Sequence, residues 1–330
     1  MLDVNIKEMS FALDVVAEAS ELVQRVQSEM VSSSFTKDDR SPVTVADFAS
    51  QALVAARLAA AFPDDSLVGE EDASALRTPA ERDRLEKITR FVADYYPQAA
   101  PEKVAAWIDR GNAAPTGRFW TLDPIDGTKG FLRGEQYAVT LALIIDGQVR
   151  IGVLGCPNLL DGYLPDIGGP GSLLGTQQGQ GTWIKPLSGS AAFERLHVSP
   201  QSIPQQAKLL RSYESGHTNT AQIDEFVQHI GIEVDPVRMD SQAKYALLAA
   251  GKGDLLLRLL SPSKSDYREK IWDQAAGSLI VQEAGGRITD LDGKALDFST
   301  GRTLTANRGV IASNSLLHEI ALTGLSNIQA

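Results

Sequence analysis

Two aspartates in one short segment, WTLDPIDGTKGF at residues 120–131, could hold a metal ion. An apolar strand ends at Asp123, and Pro124 interrupts its hydrogen-bond ladder because proline has no N–H to donate. Residues three apart in a regular strand point to opposite faces of the sheet. A bend after Asp123 would therefore let Asp123 and Asp126 converge on one point.

The two residues that follow, Gly127 and Thr128, favour an anion beside these carboxylates. Gly127 permits tight backbone geometry, and Thr128 can begin a helix whose free N–H groups face a phosphate. Asp, Pro and Gly are also common in surface turns, so the segment alone fits either a metal-and-phosphate site or an ordinary turn.

Four further acidic residues lie at the ends of predicted elements. Glu70 and Glu71 follow a short strand at 66–69, whereas Asp47 and Asp273 stand at the starts of predicted helices. Taken singly, each has an ordinary explanation, either a solvated turn or a helix cap that complements the helix dipole. A turn or a cap at each position does not explain why all of these acids accompany the first segment.

Strands and helices alternate along the chain, which predicts an α/β (α+β layered) fold with two lobes and a cleft between them. We expect a metal-binding lobe at residues 1–187 and a substrate-binding lobe at residues 188–330. The stretch 72–117 predicts a polar helix and a loop beside the core, and 162–189 predicts turns and short strands. From the apolar periodicity, the predicted helices are 5–30, 46–61, 220–229, 241–250 and 272–283, and the predicted strands are 66–69, 119–122, 137–145, 149–154, 208–212, 232–237 and 254–259.

Three separated motifs together resemble one family: GEE at 69–71, DPIDGT at 123–128 and WDQAAG at 272–277. They are similar to motifs of the lithium-sensitive, magnesium-dependent phosphatase superfamily. That group includes inositol monophosphatases, inositol polyphosphate 1-phosphatases and 3′(2′),5′-bisphosphate nucleotidases. The resemblance extends from Ser41 to Asn314 and implies alternating helix and sheet layers of the sugar-phosphatase type, with the active site between the lobes.

Within this superfamily the chain most resembles the bisphosphate nucleotidases. The stretch at 126–144 is similar to their extended motif, as are the stretches at 41–51 and 240–259. One departure is Gln274, where these enzymes usually have His; it follows Asp273 and bears on local packing or substrate contact. The resemblance implies hydrolysis of the 3′-phosphate of adenosine 3′,5′-bisphosphate (PAP), or of PAPS, to AMP and phosphate. An inositol phosphate phosphatase and an inactive binding protein on the same scaffold are the alternatives.

The resemblance also implies a role for each candidate residue. Two or three Mg²⁺ ions would be held by the side chains of Glu70, Asp123, Asp126 and Asp273 and by the carbonyl of Ile125. The attacking water would be oriented or deprotonated by Asp47, Thr128 and Glu70, while Glu71 would tune the metal shell. The phosphorylated nucleotide would contact Gly127, Thr128, His217, Ser241, Lys244, Arg258 and Asp273. Oxygen ligands without His or Cys suit Mg²⁺ rather than zinc.

Three of these residues, Ser241, Lys244 and Arg258, would bind the phosphate that the substrate retains. Ser241 and Lys244 are three apart on a predicted helix and so share one face. Arg258 ends a predicted strand, and an arginine can grip a phosphate with two N–H groups. Solvated cations on the surface are the ordinary alternative.

The bulk composition narrows the partners. A formal net charge of −11, without a cluster of Lys and Arg, argues against a nucleic-acid polymer. Carboxylates can nevertheless recruit cations that attract a small phosphate. Cys156 is the only cysteine, which we expect to be a buried structural thiol in a reducing compartment. We see no targeting peptide and no apolar run of the ~20 residues that span a bilayer, so we expect a cytoplasmic monomer without a membrane partner.

Overall fold

The computed structural model of the protein describes residues 2–31, 41–160, 164–213, 218–260 and 266–329. Within these ranges the helices are α1 (Lys7–Val26, continued by a π-helical turn at Gln27–Val31), α2 (Ser41–Ala61), α3 (Arg82–Ala93), α4 (Pro101–Asp109), α5 (Thr128–Arg133), α6 (Thr220–Ile230), α7 (Ala243–Ala249), α8 (Ala275–Glu283) and α9 (His318–Asn327). The strands are β1 (Ser66–Gly69), β2 (Arg118–Asp126), β3 (Ala138–Ile145), β4 (Gln148–Cys156), β5 (Ser172–Gln177), β6 (Thr182–Pro186), β7 (Glu194–Arg195), β8 (Leu209–Arg211), β9 (Val237–Arg238), β10 (Leu255–Arg258), β11 (Arg287–Thr289) and β12 (Val310–Ser313).

A sheet of strands β1 to β7, in sequence order, forms the first layer. β1 pairs with β2 in parallel, and the remaining neighbours are antiparallel. Successive side chains of β2 enter different cores, as the two-residue period of a strand requires. Trp120 and Leu122 face α1 and α2, whereas Phe119 joins the cluster that contains α7 and α8. Both faces of this sheet are therefore covered by helices.

A second sheet, ordered β11-β12-β10-β8-β9, lies on the far side of α8. Helices α6 and α9 pack together on its outer face around Phe226 and Ala321. The order of layers is thus helix, sheet, helix, sheet, helix, which confirms the predicted layered fold. α8 approaches the first sheet closely: a Cβ at Gly152 of β4 would lie 2.9 Å from the carbonyl oxygen of Ala276.

The structure corrects several predicted elements. The strand expected at 232–237 is wrong: only Val237 and Arg238 pair, because Pro236 cannot donate to a ladder. The segment 72–117 holds two helices, α3 and α4, and both pack on α2. Its apolar residues Phe91 and Ile108 are fully buried, so the segment belongs to the core. The turns and short strands predicted at 162–189 are confirmed for the described part by β5 and β6.

One helix is longer and more apolar than the sequence-based reading allowed. Val43–Ala61 of α2 meets the length and composition of a membrane span, with a mean hydropathy of 1.3. In the structure 78% of it is buried, against α1, α3, α4 and β2. The helix is therefore part of the protein core.

Candidate active site

Four of the five carboxylates that line one cleft were predicted as metal ligands, and they come from three parts of the chain. Glu70 follows β1, Asp123 and Asp126 stand on β2, and Asp273 precedes α8. The cleft has a volume of about 260 Å³. Its other lining residues are Ile125, Gly127, Thr128, Lys129, Ser212, Asp240, Ser241, Lys244, Arg258, Tyr267 and Lys270.

A bulge in β2 brings the two aspartates together, as the sequence predicts. Asp123 pairs with Thr140 and Asp126 with Ala138, so three steps on β2 oppose two on β3. The bend is fixed by a hydrogen bond from the Ile125 N–H to Asp123 Oδ1 at 3.1 Å. Both carboxylates consequently face the cleft.

The backbone on either side of the cleft meets at Gly127 and Ser241. A Cβ at Gly127, which has φ +89°, would lie 2.8 Å from Ser241 Cβ. Ser241 also has a positive φ, 67°, and its hydroxyl accepts a hydrogen bond from the Ala243 N–H at 3.1 Å. The Gln242 N–H donates to Asp126 Oδ2 at 2.6 Å. This turn therefore joins the strand that bears Asp126 to the start of α7.

The acidic side of the cleft is electrostatically unfavourable without a cation. Burial raises the pKa of Asp123 well above its usual range, and repulsion from Glu70, Asp126 and Asp273 raises it further. Burial also raises the pKa of Asp273 and of Glu70, with Asp126 adding to each. In Asp126 the rise from burial is opposed by Lys244 and Arg258. Burial thus disfavours the ionised form of each carboxylate, and nearby cations offset this effect only in part, Arg258 at Asp273 and at Asp126, and Lys270 at Glu70.

We call Glu70, Asp123, Asp126 and Asp273 the acidic wall. Asp47 and Glu71 interact with Glu70 but do not line the cleft. Asp47 is buried, and burial followed by Glu71 and Glu70 raises its pKa well above the usual range. Burial and Glu70 raise the pKa of Glu71 to about 7. One turn after Asp47, Gln51 donates to the Glu71 carbonyl at 2.7 Å and accepts from the Glu71 N–H at 3.1 Å. α2 therefore fixes the 70–71 turn from below.

Two cations, Lys244 and Arg258, also line the cleft, and we call them the cationic wall. Lys244 donates to the carbonyl oxygens of Ser241 at 2.8 Å and Met239 at 3.2 Å, and burial lowers its pKa to about 8. Arg258 lies 2.8 Å from the buried carboxylate of Glu269 and 3.9 Å from that of Asp273. Burial alone would lower the pKa of Arg258, but these two acids raise it. Both cations are held in place before any ligand arrives.

Three helix starts were predicted wrongly. α7 begins at Ala243, so Ser241 lies in the preceding left-handed turn and does not share a helix face with Lys244. α8 begins at Ala275, so Asp273 precedes the helix. Asp47 lies in the second turn of α2, which begins at Ser41, and so is not a cap. The cleft nevertheless receives Ser241, Lys244 and Asp273.

A family model described as the inositol monophosphatase family matches residues 5–330. The chain belongs to this family. Relatives named 3′(2′),5′-bisphosphate nucleotidase include one from Emericella nidulans, 41% identical with 98% of each chain covered, and one from Schizosaccharomyces pombe, 40% identical with 93% of this chain and 91% of the relative covered. A third, from Oryza sativa, is 43% identical over 94% of this chain and 91% of its own length.

Solved structures of the inositol monophosphatase family have the same fold. Mycobacterium tuberculosis SuhB matches with a TM-score of 0.63 at 21% identity, covering 97% of this chain and 96% of its own. An inositol monophosphatase from Anabaena (Nostoc) sp. PCC 7120 matches with a TM-score of 0.61 at 21% identity, covering 96% and 95%. The expected family and layered fold are therefore confirmed.

Enzymes of the inositol monophosphatase family are metal-dependent, and the residues of this cleft fit a metal ion. The four acids offer oxygen donors only, and their mutual repulsion would be relieved by a cation. No three His, Cys, Asp or Glu side chains of the described ranges already surround one point as ligands.

Gln274, the departure from the nucleotidase pattern, is fully buried and does not line the cleft. It donates to Glu269 at 2.8 Å and accepts a hydrogen bond from the Tyr245 hydroxyl. Glu269 in turn holds Arg258. The residue therefore serves local packing, one of the two roles considered for it, and supports Arg258 through Glu269.

Sequence reasoning missed several residues of the cleft, and one predicted residue lies outside the described ranges. The missed residues are Lys129, Ser212, Asp240, Tyr267 and Lys270. Tyr267 and Lys270 come shortly before Asp273 in the sequence, and this closeness to a predicted metal ligand is the signal that could have indicated them. His217 lies outside the described residues. Cys156 is buried at the end of β4, as expected, and burial raises its pKa.

Proposed function

We propose that this protein is a Mg²⁺-dependent phosphomonoesterase that converts adenosine 3′,5′-bisphosphate to AMP and phosphate. The observation that carries the proposal is a cleft with buried carboxylates on one wall and two positioned cations, Lys244 and Arg258, on the other. A substrate with two phosphates fits both walls. The names of the relatives at about 40% identity support the same substrate class.

We assign the acidic wall to the metal ions. Two or three Mg²⁺ would be held by Glu70, Asp123, Asp126, Asp273 and the Ile125 carbonyl. Bound divalent ions neutralise phosphate charge and lower the pKa of a water molecule, which makes it a nucleophile at neutral pH. The number of ions and the preference for Mg²⁺ are part of this proposal.

The protein's own groups would orient the substrate and take up the proton. Thr128 lines the cleft, where it would orient the attacking water, and Gly127 lets the backbone approach the phosphate. The water oxygen would bond to phosphorus as the bond from phosphorus to the 3′ oxygen breaks. The proton that the water loses would pass to Glu70, which lines the cleft and interacts with buried Asp47. The 3′ oxygen would take up a proton from solvent as it leaves, and Glu71 would tune the metal shell.

The cationic wall would hold the phosphate that is not cleaved. Lys244 and Arg258 supply the charge, and Ser241, which lies beside Gly127, supplies a hydroxyl. Arg258 needs no rearrangement to do this, because Glu269 already fixes it. The cytoplasmic location, the monomeric state and the division into lobes after residue 187 stay predictions.

Phosphate release measured with Mg²⁺ tests the proposal. Adenosine 3′,5′-bisphosphate is compared with inositol 1-phosphate and inositol 1,4-bisphosphate, and we expect a higher kcat/KM for the nucleotide. Preference for an inositol phosphate would keep the acidic wall and overturn the substrate assignment. No release from any of them would favour the inactive scaffold.

A further inference from the structure

A strap of residues 302–304 lies against the segment that carries Asp273. The Ile271 N–H donates to the Arg302 carbonyl at 3.2 Å, and the Leu304 N–H donates to the Glu269 carbonyl at 2.9 Å. Lys270 and Thr303 form a β-bridge between them. The backbone of Arg302 is therefore fixed to the 269–273 side of the cleft.

The side chain of Arg302 reaches the other side. Its guanidinium donates to the carbonyl of Gly69, the residue before Glu70, and to the carbonyls of Gly111 at 3.0 Å and Ala113 at 3.4 Å. Gly111 is itself bonded to the Gly69 N–H at 2.9 Å. One side chain thus contacts both strands of backbone from which the 70–71 turn emerges.

The same guanidinium lies over the ring of Trp272, 4.9 Å from its centroid. Trp272 immediately precedes Asp273, and its carbonyl is held by Gln242 at 2.9 Å. The three acceptors named above are neutral backbone carbonyls, so these hydrogen bonds do not neutralise the positive charge of Arg302. That charge lies near the acidic wall, where burial disfavours the ionised form of the carboxylates.

We propose that Arg302 is a positioning residue that holds Glu70 and Asp273 at the separation that a metal ion requires. From below, the turn at 69–71 is gripped by Gln51, and a Cβ at Gly69 would meet Gln51 Oε1 at 2.4 Å. From above, it is held by Arg302, whose backbone is anchored beside Asp273. The two halves of the acidic wall are therefore linked through one guanidinium. This inference rests on the proposed metal site.

Direct metal binding tests it without relying on turnover. Mn²⁺ is titrated into the protein below its melting temperature, and free Mn²⁺ is followed by its electron paramagnetic resonance signal. Outer-shell partners of metal ligands typically contribute 10- to 100-fold to affinity. We therefore expect Arg302→Gln to weaken Mn²⁺ binding by about tenfold. Arg308→Gln, which removes a half-exposed arginine bonded to Asp292 from the same stretch, should bind Mn²⁺ like the wild type.

Two further variants keep the result decisive. Arg302→Lys retains the charge but cannot span the carbonyls and the ring together, so it should fold and still bind Mn²⁺ more weakly. In Arg302→Ala, added guanidinium ion should restore part of the affinity. Lower thermal stability with unchanged Mn²⁺ affinity in Arg302→Gln and Arg302→Lys would overturn the inference. If Asp126→Asn leaves Mn²⁺ binding unchanged, the metal site itself fails, and the inference falls with it.

Discussion

The acidic wall and the cationic wall of the cleft differ in how far neighbouring groups compensate their buried charges. On the cationic wall, Arg258 is paired with Glu269 and Lys244 with backbone carbonyls, although the Arg258 Nε–H has no hydrogen-bond partner among the described residues. On the acidic wall, burial raises the pKa of Glu70, Asp123 and Asp273, and Asp126 raises each of them further. The cations of one wall are therefore already paired in the free protein, whereas the carboxylates of the other would be stabilised by a bound cation.

This difference indicates where ligand binding is coupled to folding. A group that is already paired gains little stability from a ligand, whereas repelling carboxylates gain a great deal from a cation. Bound metal should therefore change the free energy of unfolding, whereas the contacts of the cationic wall should set the affinity for the substrate. The following experiments test that contrast.

Asp126→Asn should have the largest effect on activity. Asparagine keeps an oxygen for the Gln242 N–H but removes one charge that a metal needs, so we expect kcat to fall by at least about 100-fold. Because a repelling charge is lost, the melting temperature in chelator should not fall. Asp292→Asn, on an exposed carboxylate, is the matched control. Turnover close to the wild type in Asp126→Asn would break the assignment.

Bound metal should remove an unusual loss of stability that the chelated protein shows as the pH rises. A carboxyl whose pKa is raised on folding stabilises the native state at low pH, and this contribution is lost as the pH rises through the folded pKa. For Glu71 the window runs from 4.5 to about 7. We expect the chelated protein to lose stability across it, and Mg²⁺ at 100 times its dissociation constant to add about 2.7 kcal/mol.

Chemical denaturation at several pH values, in chelator and in Mg²⁺, measures this effect. Glu71→Gln should remove part of the slope in chelator. Parallel pH profiles with and without Mg²⁺ would contradict the idea that the acidic wall awaits a cation.

Arg258→Ala should act mainly on substrate binding. A hydrogen bond to a charged group contributes about 1.5–3 kcal/mol, so KM for the nucleotide should rise by about tenfold or more. Stability should also fall, since buried Glu269 loses its partner. Arg211→Ala removes another buried arginine, bonded to Asp224, and should leave KM unchanged. An unchanged KM in Arg258→Ala would remove this residue from the site.

His318 provides a pH dependence of the opposite sign, far from both walls. Its ring lies 2.8 Å from Ser313 Oγ and 3.0 Å from Thr289 Oγ1, and burial lowers its pKa from 6.5 to about 4. Between these two pKa values the unfolded chain binds a proton on this histidine and the native state does not. Stability therefore falls as the pH drops from 6.5 to about 4. We expect a loss of about 1 kcal/mol that disappears in His318→Gln but not in His229→Gln.

The sequence was sufficient wherever a site residue depends on its immediate neighbours. Pro124 and Gly127 predicted the bend in β2, and the bulge between Asp123 and Asp126 confirms it. It was insufficient where a contact joins distant segments. The bond of Arg302 to Gly69 spans 233 positions and leaves no local pattern. The left-handed Ser241 was equally hidden, because glycine and asparagine are the usual residues there.

The middle helix layer, which contains α8, affects how the protein unfolds. α8 covers the inner face of the first sheet and also contacts β11 and β12 of the second. Phe119, Ile144 and Leu174 of the first sheet are buried in the same cluster as Leu279 of α8. A chain cut after residue 187 would expose these side chains to water. The two halves are therefore bound into one cooperative unit, and a metal ion that stabilises one should raise the unfolding temperature of both together.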